Sequence, residues 1–86
     1  MQFEGALISE QGVTFGIVVV KEHILNNQWE ANRVAASFQP VFAGAPIVLM
    51  AQNSRGVPTY FGRRDLVNRL AQVPMQAIPW KRYTLN

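Results

Sequence analysis

The first apolar block of the chain has the character of two β-strands. Residues Phe3–Ser9 and Val13–Lys21 are rich in β-branched and aromatic side chains, and Glu10–Gly12 separates them. Because glycine tolerates a positive φ in a tight turn, this block predicts a hairpin. The run Ile17–Val20 does not alternate between apolar and polar residues. Both faces of its strand are therefore expected to be covered, which places the strand at the centre of a sheet.

The pattern changes to helical periodicity after this hairpin. Asn27 is a suitable N-cap, and Glu30 follows three residues later, as in a capping box. The spacing predicts a helix over residues 28–38, which Pro40 ends by biasing Gln39 away from helical backbone angles. One face of this helix is apolar and is expected to be buried. That face consists of Ala31, Val34, Ala35 and Phe38.

A second hairpin follows the helix. Residues Val41–Pro46 are expected to form a loop. The segments Ile47–Ala51 and Val57–Phe61 predict two strands joined by a turn at Asn53–Gly56. Pro58 has no N–H to give to a ladder, so the returning strand is expected at an edge, or with position 58 directed at solvent.

A second helix is predicted over residues 63–73, and Pro74 stops it. Asp65 falls in its first turn and is expected to pair with Arg69 at i,i+4. The residues Ile78–Leu85 then predict a final strand. The buried stripe of the helix is expected to consist of Leu66, Val67, Leu70, Ala71 and Val73.

The predicted order of elements is β-β-α-β-β-α-β in one compact domain, residues 1–86. This order favours a small two-layer α+β sandwich, with a mixed, largely antiparallel sheet and two helices on one face. The length is too short for two ordinary domains, and 49% hydrophobic with 15% charged residues is a globular composition. Because cysteine is absent, no disulfide can stabilise the fold, so the core and any self-association must do so.

Charge is distributed unevenly along the chain. Residues 1–43 contain two cations and four anions, whereas residues 44–86 contain six cations and one anion. A basic half suggests an anionic partner or an acidic surface on a second copy.

The uncharged stretch Val34–Ser54 has the length of a membrane span, but its prolines and polar residues argue against one. With no secretory signal and no cysteine, we expect a cytoplasmic protein without a membrane partner.

The residues needed for catalysis or metal binding are scarce. His23 is the only histidine, there is no thiol, and the five carboxylates are scattered. We recognise no nucleophile with a base, no set of zinc ligands and no phosphate-binding loop. His23 is interpreted as a residue at the end of a strand. We therefore expect no enzymatic activity, no cofactor and no metal.

Two groups of residues are candidates for function. Trp29 lies opposite the apolar helix face, near Arg33, and an outward tryptophan is typical of interfaces. The alternative is that Trp29 folds over the sheet edge from the first helical turn. The second group mixes cations with aromatic rings, as in proteins that bind single-stranded nucleic acid. It consists of Tyr60, Arg63, Arg64, Trp80, Lys81 and Arg82. The alternative is a structural role, since alternation divides residues 80–83 between two strand faces.

The leading hypothesis for function is a non-enzymatic interaction module that forms a homodimer. The strand that contains Pro58, or the final strand Ile78–Leu85, would pair with a second copy. Lys81 and Arg82 are able to protect the final strand from such pairing. The alternative hypothesis is binding of nucleic acid or a phosphate ligand through the basic aromatic half, and a small enzyme comes third. The residues identify neither the ligand nor the biological process.

Overall fold

The computed structural model describes residues 1–85, which form a five-stranded sheet and two α-helices. The strands are β1 (Gln2–Glu10), β2 (Val13–Val19), β3 (Ile47–Gln52), β4 (Pro58–Phe61) and β5 (Lys81–Thr84). The helices are α1 (Gln28–Phe38) and α2 (Arg64–Leu70). Short 3-10 helices lie at Glu22–Asn26, Gln39–Phe42 and Met75–Ala77.

The strand order across the sheet is β4-β3-β2-β1-β5. β2 and β3 run parallel, and the other three neighbouring pairs are antiparallel. A parallel pair requires a crossover of a dozen or more residues, and α1 lies within that crossover. The predicted α+β class, the mixed and largely antiparallel sheet and the central position of β2 are all confirmed.

The turn between β1 and β2 depends on left-handed backbone conformations. Gln11 has φ 50° and Gly12 has φ 80°, as a tight hairpin turn requires. This turn fixes a register in which Gly5 lies opposite Val18. A Cβ atom at Gly5 would lie 2.5 Å from the carbonyl oxygen of Ile17. The close approach of the two strands therefore leaves no room for a side chain at this position.

Helix α1 occupies the residues that the sequence predicts. The side-chain oxygen of Asn27 accepts a hydrogen bond from the N–H of Glu30 at 3.0 Å, which confirms the N-cap. The prediction for the other end is wrong in one detail, because Gln39 keeps helical angles (φ −55°, ψ −43°). The chain tightens into a 3-10 turn with Pro40 in its first turn, where the missing N–H has no helical partner to lose.

The two helices lie on opposite faces of the sheet, so the prediction that they share one face is wrong. Helix α1 packs on the face that contains Val18 and Leu49. Helix α2 packs on the face that contains Ile17 and Val48. Adjacent strand residues point to opposite faces, so an unbroken apolar run supplies a core on each side. The domain therefore has three layers, helix, sheet and helix, rather than two.

Helix α2 ends at Leu70, three residues earlier than predicted. Its buried residues, Leu66 and Leu70, confirm the centre of the predicted stripe, but Ala71, which was expected in the stripe, lies after the end of the helix and is exposed. The predicted ion pair between Asp65 and Arg69 is wrong. Arg69 donates from Nη1 to the carbonyl oxygen of Glu10 at 2.8 Å, because the end of α2 lies over the end of β1.

The final strand is shorter than the predicted Ile78–Leu85. Ile78 is buried in the core before β5 begins, and Pro79 and Trp80 separate it from the strand.

Because β4 and β5 are the outer strands, the prediction that Pro58 lies on an edge strand is confirmed. No helix within residues 1–85 combines the length and the apolar character needed to cross a membrane.

Candidate interaction surfaces

The side chain of Trp29 projects from the first turn of α1 into solvent. It is 72% exposed, and the guanidinium carbon of Arg33 lies 5.3 Å from the centroid of its ring. Residues four apart are neighbours on a helix, so this cation–π contact holds the indole against the outer helix surface. Of the two interpretations of Trp29, the structure adopts the outward one rather than the fold over the sheet edge.

The predicted basic and aromatic group is divided between the two edges of the sheet. The first part contains Tyr60, which lies in β4, and Arg63 and Arg64, which follow the strand closely. The second part contains Trp80, directly before β5, and the residues Lys81 and Arg82 of that strand. The two strands are separated by four inter-strand steps. At ~4.8 Å per step, their distance is about 19 Å. The six residues therefore do not form one continuous binding surface.

Within the β5 part of this group, neighbouring residues face opposite sides, as strand alternation predicts. Trp80 packs into the core on the α2 side, and its Nε1 donates to the carbonyl oxygen of Met75 at 3.0 Å. Lys81 faces the α1 side, with its Nζ 5.6 Å from the ring centroid of Tyr83. Arg82 is exposed. Trp80 thus has a structural role, while the two cations next to it lie on different faces.

The β4 part of the group has two cations, as the β5 part does, and one of them is paired with a carboxylate. Tyr60 is half-buried, and burial raises the pKa of its phenol above the ordinary value. Arg63 donates to the carboxylate of Asp65 from Nε at 3.2 Å and from Nη2 at 2.8 Å. These hydrogen bonds lower the pKa of Asp65. Because this is the only ion pair within residues 1–85, Arg55 and Arg64 have no carboxylate partner in that part of the chain.

The outer edge of β4 presents backbone groups that no other strand pairs. The N–H of Asn53 donates to the carbonyl oxygen of Val57 at 3.0 Å, at the start of the β3–β4 ladder. Because antiparallel pairs alternate, Pro58 and Tyr60 direct their backbone groups away from β3. The N–H that Pro58 lacks would have pointed outward, so the proline removes no bond from the ladder.

A pocket lies beside β4 on each face of the sheet. The α2-side pocket has a volume of about 470 Å³, and its lining is mostly apolar: Val57, Pro58, Tyr60, Leu70, Val73 and Met75. The α1-side pocket has a volume of about 390 Å³, and its lining combines the hydrogen-bonding side chains of Gln28, Asn32, Gln39 and Arg63 with apolar residues such as Ile47 and Phe61. One edge strand therefore lies between a mostly apolar pocket and a pocket of mixed character.

Sequence reasoning did not identify the two pockets. The amides of Gln28, Asn32 and Gln39 are spaced by four and seven residues, which returns each of them to the same side of α1. That spacing is visible in the sequence, but it does not show that β4 lies beside this side of the helix. In the α2-side pocket, Val57 and Met75 are far apart in the chain and meet only through the tertiary fold.

Comparison of the chain with protein-family models, curated proteins and solved structures gives no match. Within residues 1–85, no three acidic or histidine side chains lie close enough together to hold a metal ion. The proposals below therefore depend on the geometry and chemistry of the surfaces of α1 and β4.

Proposed function

We propose that the chain is a small non-enzymatic interaction module that self-associates through the outer surface of α1. The observation that carries this proposal is the 72% exposure of Trp29. An indole in water is a large apolar area, and tryptophans in such positions dominate the energetics of interfaces once they are covered. The stacked guanidinium of Arg33 keeps the ring on the helix surface, available to a partner.

A second copy has a suitable surface for this ring. Ala36 is small and exposed, and it lies seven residues after Trp29 on α1. If two α1 helices pack antiparallel about a two-fold axis near Asn32, Trp29 of each copy lies against Ala36 of the other. This packing also brings Arg33 of the two copies near each other, and Glu30 of each copy comes within about one helical turn of the second copy's Arg33, where its carboxylate offsets that like-charge contact.

The strand edges are less suited to pairing with themselves. Arg63 and Arg64 follow β4, and β5 contains Lys81 and Arg82. A two-fold pairing of either strand with its own copy would bring like charges together, which is a common protection of sheet edges. We therefore place self-association on α1 rather than on the edge strands named by the sequence hypothesis.

Sedimentation equilibrium at concentrations from about one to several hundred micromolar tests this proposal. We expect a reversible dimer with twice the 9.7 kDa mass of the chain. Trp29→Ala should weaken dimerisation at least about tenfold, since truncation of a central tryptophan removes an anchor of about 2 kcal/mol or more. The matched control is Val57→Ala, which truncates a side chain that is 53% exposed and distant from α1 in the sequence.

Either of two results would contradict this proposal. One is a monomer throughout the concentration range. The other is a dimer whose dissociation constant is unchanged by Trp29→Ala, which would place the interface elsewhere on the chain.

A further inference from the structure

The edge of β4 has the features of a site that binds an extended peptide. Tyr60 directs both its N–H and its C=O outward, and Pro58 directs its C=O outward. These groups supply one donor and two acceptors to a strand laid beside β4, because main-chain hydrogen bonds form in the same way between chains as within one. Because Pro58 has no N–H, the N–H of Tyr60 is the one donor along this edge of β4, whereas the carbonyl oxygens of both residues remain available as acceptors.

The two pockets beside β4 match the alternation of such a strand. Successive side chains of an added strand point to opposite faces of the sheet. Every second side chain would therefore meet the α2-side pocket, with its apolar lining of residues such as Val73 and Met75. The side chains between them would meet the α1-side pocket, where Gln28, Asn32 and Arg63 present hydrogen-bond donors. Side-chain selection by alternate pockets is a familiar source of specificity in strand addition.

The charge around β4 indicates what the polar side chains of the partner should be. Arg55 lies in the turn before the strand, and Arg63 and Arg64 follow it. Asp65 is the only nearby carboxylate in the sequence, and its oxygens already accept two hydrogen bonds from Arg63. Asp65 offsets the charge of Arg63, whereas Arg55 and Arg64 have no carboxylate partner within residues 1–85, so this edge keeps a net positive charge. A carboxylate of a bound peptide would complement that charge, and electrostatic complementarity of this kind favours association.

We propose that the β4 edge binds an extended segment of another protein in which aliphatic and acidic residues alternate. The aliphatic side chains enter the α2-side pocket, and the acidic side chains meet the amides and Arg63 of the α1-side pocket. The β4 strand of a second copy is excluded as the occupant, because it would bring its own Arg55, Arg63 and Arg64 to the same edge. The α1-side pocket shares Asn32 and Ala36 with the surface proposed for self-association, so the peptide and a second copy would compete for it. The inference goes beyond the proposed self-association and does not depend on it.

A short synthetic peptide tests the proposal on the full chain. The probe is an acetylated and amidated hexapeptide of alternating Glu and Val, labelled with a fluorophore and followed by fluorescence anisotropy. The location is tested by amide hydrogen exchange measured by NMR at saturating peptide. The amide of Tyr60 should exchange at least about tenfold more slowly, because the peptide gives it a hydrogen-bond acceptor. The amide of Thr59 already faces β3 and serves as the internal reference.

Variants test the two pockets separately from the fold. Ala71→Phe fills the α2-side pocket from an exposed position and should weaken binding at least about tenfold. The double variant Arg63→Gln with Arg64→Gln should weaken binding about three- to tenfold, the usual range for loss of exposed charges at an interface. The matched control, Lys21→Gln with Arg82→Gln, removes the same charge elsewhere and should leave affinity unchanged. Thermal melting shows whether each variant is folded.

Three outcomes would overturn the proposal. The first is peptide binding that protects the amides of Arg82 and Thr84 on β5 instead of Tyr60. The second is equal binding of a Lys–Val hexapeptide, which would remove the argument from charge. The third is failure of the Glu–Val probe to bind. If an oligothymidylate then binds through Arg63 and Arg64, these arginines serve nucleic acid rather than a peptide. A wild-type monomer that binds peptide at β4 contradicts only the proposed self-association. A Trp29→Ala variant that is monomeric and still ignores the peptide contradicts only the present inference.

Discussion

Truncation of Leu70 provides a direct test of how α2 packs on the sheet. This side chain is 1% exposed and belongs to the core cluster that contains Phe15, Ile17 and Val48. Leu70→Ala removes three carbons, for which transfer alone accounts for about 2.4 kcal/mol. The cavity left behind raises the expected loss in the free energy of unfolding to about 3 kcal/mol, within a range of about 2–5 kcal/mol.

The effect is large relative to the stability of so small a domain. A chain of this size has a total stability of about 5–10 kcal/mol, so the variant should lose a third or more of it. For domains of this length, each kcal/mol shifts Tm by about 4–8 °C, so Tm should fall by roughly 12–24 °C. Guanidinium unfolding at constant m-value provides an independent measure of the same difference.

The matched control is Leu7→Ala in β1, because Leu7 is 49% exposed and the chemical change is identical. We expect it to lower stability by about 1 kcal/mol or less, since little apolar area is removed from contact. A Tm within about 4 °C of the unsubstituted protein for Leu70→Ala would refute the placement of α2. Equal losses for the two variants would refute it as well.

Two further substitutions test the sheet and its contact with α2. Gly5→Ala should lower stability by about 2–3 kcal/mol in a thermal melt, because the new methyl would lie 2.5 Å from the carbonyl oxygen of Ile17. In contrast, Gly44→Ala, at φ 81° in open space, should lower it by only about 1 kcal/mol, and equal losses would argue against the close strand approach. Arg69→Ala should lower stability by about 1–2 kcal/mol in urea unfolding, because Arg69 is half-buried and donates to the carbonyl of Glu10. A loss of only a few tenths of a kcal/mol would show that this hydrogen bond contributes little to the stability of the fold.

Local chemistry determined the elements whose ends have a specific residue type. The Asn27 cap and the apolar spacing predicted the start and the buried face of α1, because a cap and a buried face act within one or two helical turns. Pro40 gave the correct end at Phe38, although Gln39 does not leave the helical region as that argument requires. The turn at Gln11 and Gly12 and the edge position of Pro58 were equally local, since each depends on the backbone of its own residue. The prediction for α2 ran three residues too long because it placed the stop at Pro74, whereas the helix ends at Leu70.

The candidate surfaces were predicted only in part. The angle of Trp29 on the helix favoured an outward position, but a fold over the sheet edge stayed open as the alternative, and the 72% exposure in the structure decides for the outward one. The basic aromatic group did not come together, because Tyr60 and Trp80 belong to strands at opposite edges. Residue types and spacing along a strand do not contain the order of strands in a sheet, which depends on contacts between distant segments.

The sequence by itself determined the class of fold, the central strand, the edge strand and the centre of the buried face of each helix, because these follow from periodicity and from backbone chemistry within a few residues. Only the tertiary structure decided that α1 and α2 cover opposite faces, and that β4 lies between a mostly apolar pocket and a pocket of mixed character. An apolar run such as Ile17–Val20 shows that two faces need covering, but not which helix covers each. That choice depends on the summed packing of all layers, and the pockets beside β4 are its consequence.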